Sequence, residues 1–343
     1  MNYMRIIFKK FKARMIVGCI LAVIALLAVS VIVFINQASF GRTPRGERLE
    51  RVMKSPNYRN GEFKNQHETL LMTSDRGRFS GIWEFIFRKI DGLRPEQAVK
   101  AIKTDLRKIG RNEEILVWFG HSSYLIQTGG KRILVDPVFC MASPVSFVNK
   151  PFKGTELYTP DDMPDIDYLV ISHDHWDHLD YNTVKKLKDR IGAVICPLGV
   201  GEHFEYWGFD KERLIELDWN EDANLAPGFM IHCLPARHFS GRRLTANQSL
   251  WASFLLEAPS QKIYIGGDGG YDTHYAEIGN RFPGIDLAIL ENGQYNEEWS
   301  LIHLMPQYMA QTARDLKAKR VLTVHHSKYA LAKHRWIRKI GRA

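Results

Sequence analysis

Tyr168-Leu169-Val170-Ile171-Ser172-His173-Asp174-His175-Trp176-Asp177-His178-Leu179-Asp180 is the stretch on which the reading of this chain turns. Tyr168–Ser172 reads as an apolar strand, and it runs straight into a loop of acids and histidines. Side chains just past a strand's C-terminus stand on a loop held by a rigid sheet, a common place for a functional site. His173, His175, Asp177 and His178 put four metal-ligand side chains into six positions. On a tight loop, positions i and i+2 can converge on one ion while i+4 and i+5 face a second. Imidazole and carboxylate suit zinc. Any one of these residues alone would more often be a core histidine or part of a solvated loop. The whole cluster, following an apolar strand, points to metal.

The same texture recurs downstream. From Glu114 onward short apolar runs alternate with turn signals. Ile115–Phe119, Arg132–Val135, Tyr168–Ser172, Ala193–Cys196, Met230–Leu234, Leu250–Leu256, Lys262–Ile265, Leu287–Leu290 and Val321–Val324 read as strands. Helical patterns lie at Pro95–Lys108, Tyr181–Arg190 and Pro306–Ala318, with Pro95 and Pro306 at first-turn positions. Two sheets with helices interspersed fit this strand count better than a single parallel sheet, giving an α/β (α+β) chain. Three more of these strands end near ligand-type residues: His238, Asp268 and His325. Each is a weak signal alone. Together they supply what a two-metal site still lacks, including an Asp able to bridge both ions.

These residues carry a resemblance. HxHxDH at His173–His178, His238 in Leu234-Pro235-Ala236-Arg237-His238, Asp268 in Gly267-Asp268-Gly269-Gly270-Tyr271, and His325 in Val324-His325-His326-Ser327-Lys328-Tyr329-Ala330-Leu331 resemble the metallo-β-lactamase superfamily. They are closest to its N-acylphosphatidylethanolamine-hydrolysing phospholipase D-like branch. Gly120-His121-Ser122-Ser123, Val135-Asp136-Pro137 and Glu216-Leu217-Asp218-Trp219 match as well, and the likeness runs from about residue 55 to 335. It implies an αββα sandwich with two zinc ions at the edge of the two sheets. His173, His175 and His238 would hold one ion. Asp177, His178 and His325 would hold the other, with Asp268 bridging. His325, not His326, matches the branch's motif. Asp136 would orient the ligand loop without binding metal. His303 resembles a histidine near the family's active site, as proton donor or phosphate contact, with a helix-capping or merely polar role as the other reading. Ile289–Tyr295 departs from the branch by placing Glu291 and Asn292 where apolar residues are usual, so the pocket differs there.

The charge balance says where such a protein sits. Lys+Arg 47 against Asp+Glu 38 gives +9 over 343 residues. Residues 1–14 and 333–343 each hold five cations and no acid. The remainder holds 37 basic against 38 acidic residues. A nucleic-acid enzyme would more often spread its cations over a working face, so nucleic acid is not the expected partner. The uncharged run from Met15 to Ile35 would span roughly 31 Å as a helix, the thickness of a bilayer core. An uncleaved anchor is favoured over a signal peptide, whose apolar region is shorter and ends in a small-x-small site, and over a buried core helix, which would need an unusually large core. The positive-inside bias favours a cytoplasmic N-terminus and an extracytoplasmic body. Residues 37–110 read as an arm and 111–343 as the hydrolase domain. Within the arm, Gly81–Arg88 is either a short packed helix or an aromatic patch lying on the membrane. Of the four cysteines, three lie outside the span without CxxC spacing.

The expected function follows. Two metal ions lower the pKa of bound water from about 15.7 to around 7 and stabilise charge on a phosphodiester, so no Ser, Cys or Lys nucleophile is needed. Asp177, Asp268 and His303 are the candidate catalytic residues. Asp177 could take a proton during attack or serve purely as a ligand. Iron or manganese could replace zinc. A membrane-anchored phosphodiesterase acting on N-acyl or related phospholipids is the first reading. A lactonase resembling the ascorbate-phosphate lactonase branch is the second. A non-catalytic surface protein on the same fold is the third, disfavoured because all seven ligands are present.

Overall fold

Apolar residues alternating across strands produce three buried layers, and these define the architecture. The computed structural model describes every residue except 1, 74–89, 146, 294–295, 333 and 337–343. The aromatic patch at Gly81–Arg88, and most of the basic C-terminal tail, therefore lie outside the described residues. The chain divides into two units, residues 1–40 and residues 41–343.

The first unit is a helix, Asn2–Ile35, followed by one turn at Ala38–Phe40. Its portion from Ile6 to Ile35 is long and apolar enough to cross a membrane. The helix starts well before Met15, so the basic flank continues the apolar span as one rod of about 51 Å at 1.5 Å per residue.

The second unit holds two six-stranded sheets. One contains β3 (Ile115–Trp118), β4 (Tyr124–Thr128), β5 (Lys131–Val135), β6 (Ile166–Val170), β7 (Ile191–Pro197) and β8 (Leu214–Leu217), in that order. The other runs β14 (Val321–Val324), β13 (Leu287–Glu291), β12 (Lys262–Ile265), β11 (Ser253–Glu257), β10 (Phe229–Leu234), β9 (Asp222–Ala226). The first sheet has two antiparallel pairings, β3 with β4 and β4 with β5, and three parallel ones, whereas the second has three antiparallel pairings, from β9 to β12, and two parallel ones. Successive side chains on a strand face opposite ways. Accordingly Ile133 and Val135 of β5, Val170 of β6, Phe254 and Leu256 of β11 and Ile263 and Ile265 of β12 meet in one core between the sheets. Leu134, Leu169 and Val194 turn outward to a second core with Val184 and Leu187 of the helix Tyr181–Leu187. Leu255, Tyr264 and Leu290 turn to a third with Tyr275 and Ile278 of the helix His274–Arg281. The order helix, sheet, sheet, helix is the αββα sandwich that the sequence implied.

Several expectations are corrected. Pro95–Lys108 is not a helix; only Leu106–Lys108 forms a turn. Its backbone is satisfied elsewhere, Val99 N–H by the Lys153 carbonyl and Thr104 N–H by the Tyr158 hydroxyl, and such tertiary pairing overrides a weak local preference. The strand expected at Leu250–Leu256 begins only at Ser253, because Leu250 and Ala252 donate to Leu198 and Ser172 beside the other sheet. Tyr181–Arg190 and Pro306–Ala318 are shorter helices, Tyr181–Leu187 and Met309–Asp315, each continued at one end by a single tighter turn. Strands β4, β8 and β9 and the helices Gly46–Lys54, Gly201–Tyr206 and His274–Arg281 add to the expected elements.

The segment read as an arm is built into the sandwich. Val52, from the helix Gly46–Lys54, and Phe63, from the small hairpin β1 (Tyr58–Arg59) and β2 (Glu62–Phe63), are fully buried in the intersheet core. Arg48 reaches Glu216 of β8 at 2.6 Å and Glu202 at 2.7 Å. Phe63→Ala is expected to cost about 3–5 kcal/mol, as buried aromatic truncations do. Leu70→Ala, on the exposed continuation, should stay within about 0.5 kcal/mol. Denaturant unfolding compares the two; equal small losses would show the segment to be peripheral.

Candidate metal centre

The strands deliver their loops to one edge of the sandwich. Val170 ends β6, Leu234 ends β10, Ile265 ends β12 and Val324 ends β14, and each is followed by predicted site residues. Two further loops arrive at the same edge, the β3–β4 turn with His121 and the residue after β5, Asp136.

All seven predicted ligands come together there. His173 Nε2 lies 2.8 Å from His175 Nδ1, which lies 3.3 Å from His238 Nε2. The second set gathers round Asp177 Oδ2, 3.8 Å from His178 Nε2 and 3.6 Å from His325 Nε2. Asp268 stands between the sets. Its Oδ2 is 3.2 Å from His178 Nε2, 2.9 Å from His325 Nε2 and 3.9 Å from His238 Nε2. His303 joins them, its Nδ1 3.9 Å from Asp268 Oδ2 and its ring stacked near His325. His326 does not. It turns to Ser327 and packs against Trp118.

The surrounding hydrogen bonds fix which nitrogen of each ring faces inward. His178 Nδ1 lies 2.8 Å from Asp136 Oδ2, and His238 Nδ1 lies 2.7 Å from the Ile302 carbonyl. Both partners accept, so both nitrogens donate, and each Nε2 keeps a lone pair toward the centre. Asp136 also accepts from the Ser172 amide at 2.8 Å and hydroxyl at 2.6 Å, tying the histidine loop to the end of β5. The loop has little room to shift. Gly267, at φ +62°, sits so near Ser172 that a β-carbon there would come within 2.9 Å of the Ser172 side chain. His121, Asp136 and His325 all adopt positive φ. Such conformations cost about 1–3 kcal/mol each and persist where the surroundings over-determine them.

These residues fit a cation. His178 Nε2 and His325 Nε2, which face Asp268 Oδ2 without hydrogen-bond alignment, and Asp268 Oδ1 are buried with no hydrogen-bond partner among the described residues. Buried polar atoms are otherwise almost always paired. Burial, with repulsion among the neighbouring histidines, holds His173 and His238 well below the ordinary histidine range, where the ring is the neutral form a metal needs. Burial opposes ionisation of Asp177 and Asp268. It is outweighed by His178, by His325 and, for Asp177, by the His121 hydrogen bond, so both carboxyls stay well below their usual range. Burial likewise opposes charge on His325, yet Asp268 and Asp177 push it up to about 10. An anionic pocket that pulls protons onto its own histidines is one a divalent cation would displace them from.

Three neighbours escaped the sequence reading as site residues. His121, in a stretch noted only for its likeness, donates to Asp177 Oδ2 at 2.9 Å through Nε2. Glu291, noted as a departure, lies 2.8 Å from His303. Asn65 carried no signal. Its side chain accepts from the His238 amide at 3.1 Å and donates to the His238 carbonyl at 2.8 Å. A groove of about 620 Å3 opens beside His238, between this segment and Phe239 and Trp251.

A family model for the beta-lactamase superfamily domain matches residues 131–326. An uncharacterized protein of Mycobacterium tuberculosis is 36% identical over 292 residues, which is 82% of this chain and 77% of that protein. The N-acyl-phosphatidylethanolamine-hydrolyzing phospholipase D 1 of Caenorhabditis elegans is 29% identical over 231 residues, covering 62% of this chain and 64% of that one. Among solved structures, CmlA, a diiron beta-hydroxylase from Streptomyces venezuelae, shares the fold with a TM-score of 0.50 and 19% identity, over 62% of this chain and 45% of that one. Asp136→Asn is expected to weaken zinc binding about 10–100-fold, the usual effect of losing such a supporting partner. A chelator competition would read it, and unchanged affinity would contradict the orienting role of Asp136.

Proposed function

This chain belongs to the beta-lactamase superfamily and is a metal-dependent hydrolase, and from that premise we propose that it is a phosphodiesterase cleaving N-acyl or related phospholipids. The observation that carries the reading is His303. It stands beside Asp268 at the rim of both ligand sets, where a leaving oxygen would need a proton. The relative in C. elegans is named for hydrolysing N-acyl-phosphatidylethanolamine, and the apolar helix Ile6–Ile35 would keep such an enzyme at a lipid surface. The five cations before Met15 favour a cytoplasmic N-terminus and an extracytoplasmic body.

His173, His175 and His238 would hold one cation; Asp177, His178 and His325 would hold a second, with Asp268 shared. Zinc suits this donor set. A pair of such cations would act as Lewis acids on phosphoryl oxygens and supply a nucleophile from water at neutral pH. The chain's residues do the rest. Asp177, 18% exposed, is placed to take the proton released on attack, with its Oδ2 steadied by His121. His303 gives a proton to the departing alcohol. The groove beside His238 carries Arg59 and Lys64 together with Leu70, Leu71 and Phe239, a mixture suited to a headgroup and an acyl chain.

The full-length chain in detergent, loaded with zinc, should release phosphatidic acid from an N-acyl phosphatidylethanolamine. His303→Gln should lower kcat about 10²–10⁴-fold, the usual worth of a general acid. Absence of release from any phospholipid with zinc bound, together with rapid opening of a small lactone, would overturn the reading in favour of a lactonase.

A further inference from the structure

Glu291 is the last residue of β13, and only 3% of it is exposed. A carboxyl side chain at a buried strand end costs stability unless each oxygen is used. Both are. Oε1 accepts from the Gly269 amide at 2.7 Å and from the Leu304 amide at 3.1 Å. Oε2 lies 2.8 Å from His303 Nδ1 and 3.5 Å from His325 Nδ1. One side chain therefore touches the loop of Asp268, the loop of His303 and the ring of His325.

The hydrogen-bond bookkeeping has a chemical consequence. A backbone amide can only donate, so Oε1 is committed as an acceptor twice over. Two carboxylate oxygens face His303 Nδ1, Glu291 Oε2 at 2.8 Å and Asp268 Oδ2 at 3.9 Å. A ring nitrogen facing carboxylate oxygens holds its proton, and the opposite nitrogen becomes the one that exchanges. We propose that Glu291 is a positioning residue that keeps His303 Nδ1 protonated throughout, so that the imidazolium gives its Nε2 proton to the leaving oxygen and is left as the neutral Nδ1–H ring. The inference rests on the reading of His303 as proton donor. It assigns Glu291 a role besides holding three loops together.

Glu291→Gln separates these roles because the amide is nearly isosteric. The Gly269 and Leu304 amides would claim its oxygen, so loop attachment survives. Its NH2 group then faces His303 Nδ1, which must accept, and the ring is driven to the Nε2–H form. A wrongly held histidine tautomer is costly in catalysis.

Two readouts on the zinc-loaded full chain in detergent test this. The 15N chemical shifts of the His303 ring, read at a pH where it is neutral, should show Nδ1–H in the parent and Nε2–H in Glu291→Gln, with zinc content unchanged. Turnover of a phosphodiester with a poor alkyl leaving group should fall about 10²-fold in kcat, within the range that general acids supply. A p-nitrophenyl phosphodiester, which needs no proton on departure, should change less than threefold. In a His303→Gln background, Glu291→Gln should cost nothing further. An unaltered ring tautomer would overturn the inference, as would equal slowing of both substrates or a further loss in the double variant. If no phosphodiester is turned over at all, the phosphodiesterase reading fails, and the tautomer measurement still decides the role of Glu291.

Discussion

Inward-facing lone pairs, buried at the shared edge of two sheets, are the constraint on which the rest of this structure depends. His178 Nε2, His325 Nε2 and Asp268 Oδ1 are closed off from water with no hydrogen-bond partner among the described residues. An unpaired buried polar atom costs about 1–3 kcal/mol, and more for a charged group. Several together, with His325 also held in a left-handed backbone conformation, form a costly arrangement that a divalent cation would relieve. The fold supplies the rigidity. Parallel strands β5, β6 and β7 and β12, β13 and β14 end at the same edge, and their loops have little freedom once packed.

The supporting contacts follow from the same constraint. A lone pair can be aimed only if the other ring nitrogen is tied, and Asp136 and the Ile302 carbonyl tie two of them. Distant parts of the chain serve the same end. Asn65 grips the backbone of His238 on both sides, and Asp174 accepts from His203, Ser249 and the Gly241 amide beneath the histidine loop. His203 is in turn held by the Arg42 amide. The segment that precedes the sheets thus reaches two of the loops from which a metal would be held.

Legibility in the sequence tracked how local the physics was. Strands β6, β12 and β13 were visible because both faces are buried, which leaves short continuous apolar runs, and β14 was visible as a largely β-branched run on the sheet edge. The site was visible because its ligands directly follow those runs. Strand β4 was not, since Gln127 and Thr128 look like surface residues. Gln127 is instead buried by bonds to the Gly110 and Glu113 carbonyls. Strand β8 contains Glu216, which is tolerated through Arg48, 168 positions away. His121, Asn65 and Glu291 gain their roles from neighbours that only the tertiary structure brings, so spacing could not reveal them. Pro95–Lys108 misled for the complementary reason, because its helical pattern lost to pairings with residues 153 and 158.

The central claim is that two adjoining sets of ligands, sharing Asp268, each hold a divalent cation. Native mass spectrometry of the purified full-length chain, with elemental analysis of the same sample, addresses it directly. The account predicts about two divalent metal ions per chain, retained through buffer exchange and removed together with activity by a chelator. A chain that keeps no metal while folded, or binds a single ion even in excess zinc, would contradict it.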